Sequence, residues 1–183
     1  MKLKRTGMEK HMNKIYENII SRTSVRAFTD EVIKKEDLDM ILSAGIHAPS
    51  AMNKQSWQFT VLTDRSKIQS LAKVVREELG RDERYNFYNP TALVIMSNDR
   101  DNNNGEADCA CALQNMFLMA NDLRIGSCWI NQLKGICDSP KVREKLTELS
   151  IPENHLVWGM ASLGYPATEI QKKEKNEAVI KFV

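Results

Sequence analysis

Arg22-Thr23-Ser24-Val25-Arg26 brings two guanidinium forks and a hydroxyl to one place, a donor set suited to a phosphate. About one helix later, Ala48-Pro49-Ser50-Ala51-Met52-Asn53-Lys54-Gln55-Ser56-Trp57 forms a turn rich in small residues, amide side chains and backbone donors. That composition suits the edge of a planar heterocycle. A phosphate at one end and a polar ring edge at the other describe a mononucleotide. An Arg-x-Ser-x-Arg run is common by chance, so the pairing of the two stretches carries the argument. In an extended segment alternate residues share a face, which puts Arg22, Ser24 and Arg26 on one side.

Outward from these stretches, the hydrophobic period switches between helix and strand. Met8, Met12, Ile15 and Ile19 recur at helical spacing and predict a first helix ending near Ser21. Leu38, Ile41, Leu42 and Gly45 or Ile46 mark one face of a second helix over residues 35–48, stopped by Pro49. Residues 57–63 are a short run of β-formers and read as a strand. Asp64 is placed to cap a third helix whose buried stripe is Ile68, Leu71 and Val75. Residues 80–90 read as a loop carrying Tyr85, Phe87 and Tyr88, and residues 91–97 as a second strand. After the turn Asn102-Asn103-Asn104-Gly105 comes the longest helix, over residues 106–123, apolar almost all round. Such a helix is central or lies at a subunit interface. Ser139-Pro140 opens a short helix to about Leu149, residues 156–163 form a further strand, and residues 178–183 a last one. The pattern predicts an α+β fold, a central mixed or antiparallel sheet with helices on both faces. No repeat, low-complexity segment or linker divides the chain, so residues 1–183 read as one domain, with 1–13 as a loose N-terminal arm.

Composition narrows the function. The 26 basic and 24 acidic residues leave a net charge of +2 over 183 residues, so no broad basic face is available for nucleic acid. Lys2, Lys4, Arg5, Lys10 and Lys14 are not followed by an apolar run, and no stretch approaches the ~20 apolar residues of a membrane span. A soluble, cytoplasmic protein is expected. Cys109, Cys111, Cys128 and Cys137 include no Cys-x-x-Cys pair, and on a helix the first two point some 200° apart. They read as small buried residues in a reducing compartment. His11, His47 and His155 are scattered, so no metal site is expected. Gly is scarce, at eight residues, and no Gly-x-Gly-x-x-Gly fingerprint is present.

Two further motifs complete a pattern: Arg124-Ile125-Gly126-Ser127-Cys128-Trp129-Ile130 and Gly164-Tyr165-Pro166-Ala167, followed by a basic tail. With these, the chain resembles the FMN-dependent nitroreductase family of flavoproteins across about residues 15–183. Members open with an Arg-Arg/Thr-Ser-x-Arg element and carry an Ala-Pro-Ser-Ala-x-Asn-x-Gln-Pro-Trp turn, a Gly-x-Gly-Ser-Cys-Trp-Ile stretch and a Gly-Tyr-Pro-Ala element. The resemblance implies FMN as cofactor. It assigns the phosphate to Arg22, Ser24 and Arg26, with Thr23 among them as a further cofactor contact, and to Lys173 and Lys175 of the tail, with Lys172 competing for either role. It assigns flavin contact to Pro49, Ser50, Ala51 and Asn53 from the partner subunit. The amides of Asn53 and Gln55 each offer donor and acceptor functions, which suits the pyrimidine edge. Asn131 and Gln132 occupy positions whose backbone N–H groups face flavin O4 and N5 in the family, where donors favour electron uptake. Trp57, Trp129 and Trp158 read first as core residues, and Trp129 is also carried as a flavin neighbour because it lies inside a motif.

The implied activity is that of an NAD(P)H-dependent FMN oxidoreductase. Hydride from a reduced nicotinamide goes to N5, and two electrons then pass to a nitroaromatic, a quinone or a related small acceptor in a ping-pong cycle. No side chain is expected to act as a catalytic acid, base or nucleophile. The resemblance also implies a homodimer in which the C-terminal strand crosses to the partner's sheet, since such a strand cannot stand alone. Alternatives stay open: a specialised flavin-fragmenting or dehalogenating relative, a flavin reservoir or sensor without turnover, and a cofactor-free helical dimer. Two departures from the motifs bear on the site. Ser56 replaces the proline before Trp57, which predicts a less rigid turn. Asn131-Gln132 replaces a stretch often rich in glycine, which predicts tighter space over N5. The aromatic loop at Tyr85, Phe87 and Tyr88 is placed to shape the acceptor pocket.

Overall fold

Caps and breakers in the chain set the boundaries of most elements in the computed structural model, which describes residues 13–170, 174–176 and 178–183. Helix α1 (Lys14–Ser21) starts at Asn13, whose side chain accepts from Tyr16 N–H at 2.8 Å. Met8 and Met12 lie outside the described residues. Helix α2 (Lys35–Ile46) buries Leu38, Ile41 and Gly45 and ends before Pro49. Strand β1 (Trp57–Leu62) leads to α3 (Arg65–Glu78), capped by Asp64, which accepts from Ser66 N–H at 2.7 Å. Its buried face is Ile68, Leu71, Ala72 and Val75, the stripe the sequence marks plus one alanine. Strand β2 (Ala92–Asp99), helix α4 (Gly105–Asp122), strand β3 (Gly126–Ile130), helix α5 (Pro140–Glu148) and strand β4 (His155–Gly164) complete the order. Pro140 opens α5 as expected, although the Ser139 side chain makes no capping bond.

The strands form one sheet in the order β1-β2-β4-β3, and all three ladders are antiparallel. Of the two options the sequence leaves open, the antiparallel one is therefore observed. A parallel pairing occurs as an isolated bridge between Ser24, outside the strands, and Ser127 of β3. Alternation along β2 feeds two cores. Leu93 and Ile95 join Ile68, Leu71, Val75, Val142 and Leu146 of α3 and α5 on one face. Ala92, Val94 and Met96 join Ile41, Leu113, Met116 and Phe117 of α2 and α4 on the other. A strand buried on both faces must be apolar on both, which is why residues 92–96 read as a continuous run.

Helix α4, expected to be apolar almost all round, carries a buried Asp108 and an exposed Cys111. Ile15 and Ile19 of α1 stay exposed in the single chain. Residues 178–183 form no strand in the single chain, and Val179 and Phe182 stand 86% and 89% exposed. A strand needs a neighbour to satisfy its backbone, and this segment has none within its own chain.

Candidate functional site

The first half of the site is built on the edge of β3. Asn121 Nδ2 of α4 donates to Asn18 Oδ1 at 2.6 Å and Asn18 Nδ2 donates to Leu118 O at 2.9 Å, which docks α1 on α4. Arg22 ends α1 with extended backbone, and the chain then runs beside β3 and the exit of β4. Val25 N–H donates to Ser127 O at 2.9 Å, Thr29 N–H to Tyr165 O at 2.8 Å, and Ala167 N–H to Ala27 O at 2.9 Å. Val25 fits because position 126 is glycine: a Cβ there would meet the Val25 side chain at 2.8–3.0 Å. With Val25 turned inward, its neighbours on either side are free to face outward, the alternation the sequence predicts. Burial pushes the Cys128 thiol up, and the positive charges of Arg26 and Arg22 oppose that shift. Among the described residues neither arginine is paired with a carboxylate. Two guanidiniums beside Thr23 and Ser24 present a positive, donor-rich edge whose chemistry suits an anion.

Further along the same strand lie Trp129 and Asn131. The step from Ser127 to Asn131 spans about 13 Å of strand, given a rise of about 3.3 Å per residue. Trp129 is 38% exposed and packs one side against Phe117, ring centroids 6.1 Å apart. Gly159 leaves room for it, since a Cβ there would lie 2.9 Å from the indole. Trp129 Nε1–H reaches Asn131 Oδ1 at 3.5 Å, and Asn131 N–H donates to the side chain of Gln132 at 3.1 Å. The backbone donor expected at 131 is thus held by its own neighbour in this chain.

The second half is the turn after Pro49. Ala51–Asn53 makes one 3-10 turn, and Met52, Asn53 and Gln55 all adopt left-handed φ of 54°, 53° and 48°. Such backbone is costly for residues with a Cβ and persists only where the surroundings fix it. Here they do. Ala51 N–H donates to Asp108 Oδ1 at 2.9 Å and Gln55 N–H to Ser50 Oγ at 3.2 Å. Gln55 Nε2 donates to Asn53 Oδ1 at 2.7 Å, pairing the two exposed amides. Ser56 Oγ–H donates to Asn98 Oδ1 at 2.8 Å and accepts from Asn102 Nδ2 at 3.1 Å, and Asn102 Nδ2 also donates to Asp108 Oδ2 at 3.0 Å. Ser56, where the family motif has proline, therefore joins the turn to Asn98 and Asn102.

The two halves do not meet within one chain. Ser24 lies beside Ser127, which pairs with Leu163 at one end of the sheet. Trp57 pairs with Asn98, and Asn98 with Leu156, at the other end and the opposite edge. Counting strand rise and strand spacing separates the halves by on the order of 30 Å. Lys175 is exposed and without regular structure, and Lys172 and Lys173 lie outside the described residues. The aromatic loop also differs from expectation. Phe87 is buried and stacks edge-on with half-buried Tyr85 at 5.4 Å, whose hydroxyl burial pushes to a higher pKa. Only Tyr88 faces outward, and its ring lies under the Arg26 guanidinium at 5.8 Å. Sequence reading passed over Asp108 and Asn102; a lone acid inside an apolar run was the available signal.

Comparison with known proteins places this geometry. The Nitroreductase family model matches residues 19–165. The chain belongs to the nitroreductase family. A crystallised nitroreductase from Bacteroides fragilis with bound FMN is 39% identical, with a TM-score of 0.89 over 94% of this chain and 100% of that one. A protein of Archaeoglobus fulgidus named NADH dehydrogenase/NAD(P)H nitroreductase is 32% identical over 86% of this chain and 88% of its own length. An FMN reductase (NADPH) of Bacillus subtilis is 23% identical over 90% of this chain and 70% of its own length. In the nitroreductase-family chain described here, no helix among the described residues is long and apolar enough to cross a membrane.

Proposed function

We propose that this nitroreductase-family chain is an FMN-dependent NAD(P)H oxidoreductase that reduces nitroaromatics, quinones or a related small acceptor in alternating two-electron half-reactions. The observation that carries the reading is the β3 edge: the segment of Arg22 and Arg26, which pair with no carboxylate among the described residues, runs beside Ser127, and the half-exposed indole of Trp129 lies further along. That spacing and donor order fit a ribityl phosphate followed by a flat ring. Bound FMN would supply the two-electron carrier. The residues of the chain hold and orient it: Arg22, Thr23, Ser24 and Arg26 neutralise the phosphate, and Trp129, Asn131 and Gln132 flank the ring. Lys173 and Lys175 would add charge from the tail.

The acting unit is a homodimer in this reading. Pro49, Ser50, Ala51, Asn53 and Gln55 lie on the order of 30 Å from the arginines of their own chain, so they would serve the ring bound by the partner. The exposed apolar tail at residues 178–183 would complete the partner's surface, which accounts for a Val179 and a Phe182 that solvent otherwise surrounds.

The visible spectrum of the purified protein, before and after anaerobic NADH or NADPH, tests the proposal. A flavin band that bleaches within a turnover time and returns on adding a quinone or nitroaromatic supports a reductase. A flavin band that resists both nicotinamides supports the reservoir reading instead. A protein that is colourless and fails to take up added FMN overturns the site assignment.

A further inference from the structure

Residues 85–89 form a rigid surface loop whose outward side chain meets one of the two site arginines. Phe87, Tyr88 and Asn89 have consecutive left-handed φ of 55°, 68° and 51°. Three such residues with Cβ atoms in a row need external fixing. The fixing is visible. Ser162 Oγ–H, fully buried in β4, donates to Phe87 O at 2.9 Å, and Asn89 N–H donates to Asn86 O at 2.9 Å. Gln69 Nε2 of α3 donates to Asn89 Oδ1 at 3.1 Å, and Phe87 is locked in the core against Tyr85. Ser162 is the β4 partner of Cys128, so the anchor lies directly across the ladder from the strand that carries the arginine edge. The consequence is that Tyr88, 41% exposed, is presented at a fixed place with its ring 5.8 Å from the Arg26 guanidinium carbon.

We propose that Tyr88 is a positioning residue for the phosphate end of the site: its ring holds the Arg26 guanidinium in the orientation that receives the phosphate. This rests on the reading of Arg26 as a phosphate ligand. A free arginine loses several rotamers when it binds an anion, and a ring that already restrains the guanidinium removes part of that loss. The interaction is a cation–π contact, which needs the ring and not the hydroxyl.

The test compares FMN with riboflavin, which lacks the phosphate, by flavin fluorescence on the full-length protein. Tyr88→Ala should weaken FMN by about two- to five-fold, the scale of an exposed cation–π contact, and leave riboflavin affinity unchanged. Tyr88→Phe, which keeps the ring, should retain FMN affinity. In an Arg26→Ala background, Tyr88→Ala should cause no further loss. Equal weakening of both flavins overturns the proposal by making Tyr88 a general structural residue. It is likewise overturned by an unchanged FMN affinity in Tyr88→Ala, by a loss in Tyr88→Phe as large as in Tyr88→Ala, or by the same loss without Arg26. Should Arg26→Ala itself leave FMN affinity intact, the phosphate reading fails and takes this inference with it; if only Tyr88→Ala is silent, the phosphate reading stands alone.

Discussion

Replacing Asp108 with asparagine should destabilise the protein by about 2–4 kcal/mol, and a second substitution at Asn102 should restore much of it. Asp108 is 4% exposed and accepts two hydrogen bonds, from Ala51 N–H at 2.9 Å and from Asn102 Nδ2 at 3.0 Å. An amide at 108 keeps one acceptor. If that oxygen stays on Ala51 N–H, the new NH2 group faces Asn102 Nδ2, donor against donor. Turning the Asn102 amide does not help, because Asn102 Oδ1 already accepts from Asn104 N–H at 3.1 Å and Nδ2 serves Ser56. Losing one bond to a charged acceptor costs about 1.5–3 kcal/mol, and the remaining bond to Ala51 weakens by about half when the charge goes. The double variant Asp108→Asn/Asn102→Asp moves the carboxylate across the pair, so the amide at 108 can donate to it and still accept from Ala51. Denaturant midpoints at fixed protein concentration and constant slope read both effects. The reasoning is refuted if Asp108→Asn lies within about 0.5 kcal/mol of the parent, or if the two substitutions add without coupling.

Arg22→Ala should weaken FMN binding by about 1.5–3 kcal/mol in a fluorescence titration, the range for a hydrogen bond to a charged group, and undiminished affinity would remove Arg22 from the phosphate site. Deleting residues from Ala178 onward should give monomer or aggregate by light scattering, and an intact stable dimer would contradict the exchanged tail. Arg124 occupies left-handed backbone, φ 58°, at the position where the family motif has glycine, so Arg124→Gly should stabilise by about 0.5–1 kcal/mol net of the glycine's greater unfolded freedom; a lowered Tm would show that Arg124 makes a compensating contact. Burial lowers the pKa of His155, with Arg143 lowering it further and Asp99 opposing. A base whose folded pKa is depressed binds more protons unfolded, so stability should fall as pH drops below about 6.5, and His155→Gln should flatten that slope in pH-dependent denaturation.

The sequence made the local elements legible where a single residue type has one physical use. Asp64 capping α3, Pro140 opening α5 and Pro49 closing α2 are short-range effects, and each was found where expected. Strand β3 reads in the sequence as a motif and not as a strand, because five residues containing Gly126 and an outward Trp129 are too few to show a period. Strand order was beyond reach for a different reason. Every pairing links segments 30 or more residues apart or reverses chain order, and residues 92–96, buried on both faces, carry no alternation to choose a neighbour. The candidate site was legible as a list of residue types but not as a place. Arg22 and Asn53 stand one helix apart in the chain and lie at opposite ends of the sheet.

That separation changes how Ser56 is to be understood. A proline before Trp57 would fix φ locally and needs nothing else from the chain. A serine fixes the same point through Asn98 and Asn102, and Asn102 in turn completes the acceptor set that Asp108 offers to Ala51. The conformation of the turn is then set by the end of β2 and the first turn of α4, elements that belong to the same rigid body as the sheet. A turn held this way takes its three left-handed residues from hydrogen bonds within its own chain. A polar network in place of proline makes the conformation of the turn depend on Asn98 and Asn102, 42 and 46 positions from Ser56, which is why no inspection of the turn alone could have revealed it.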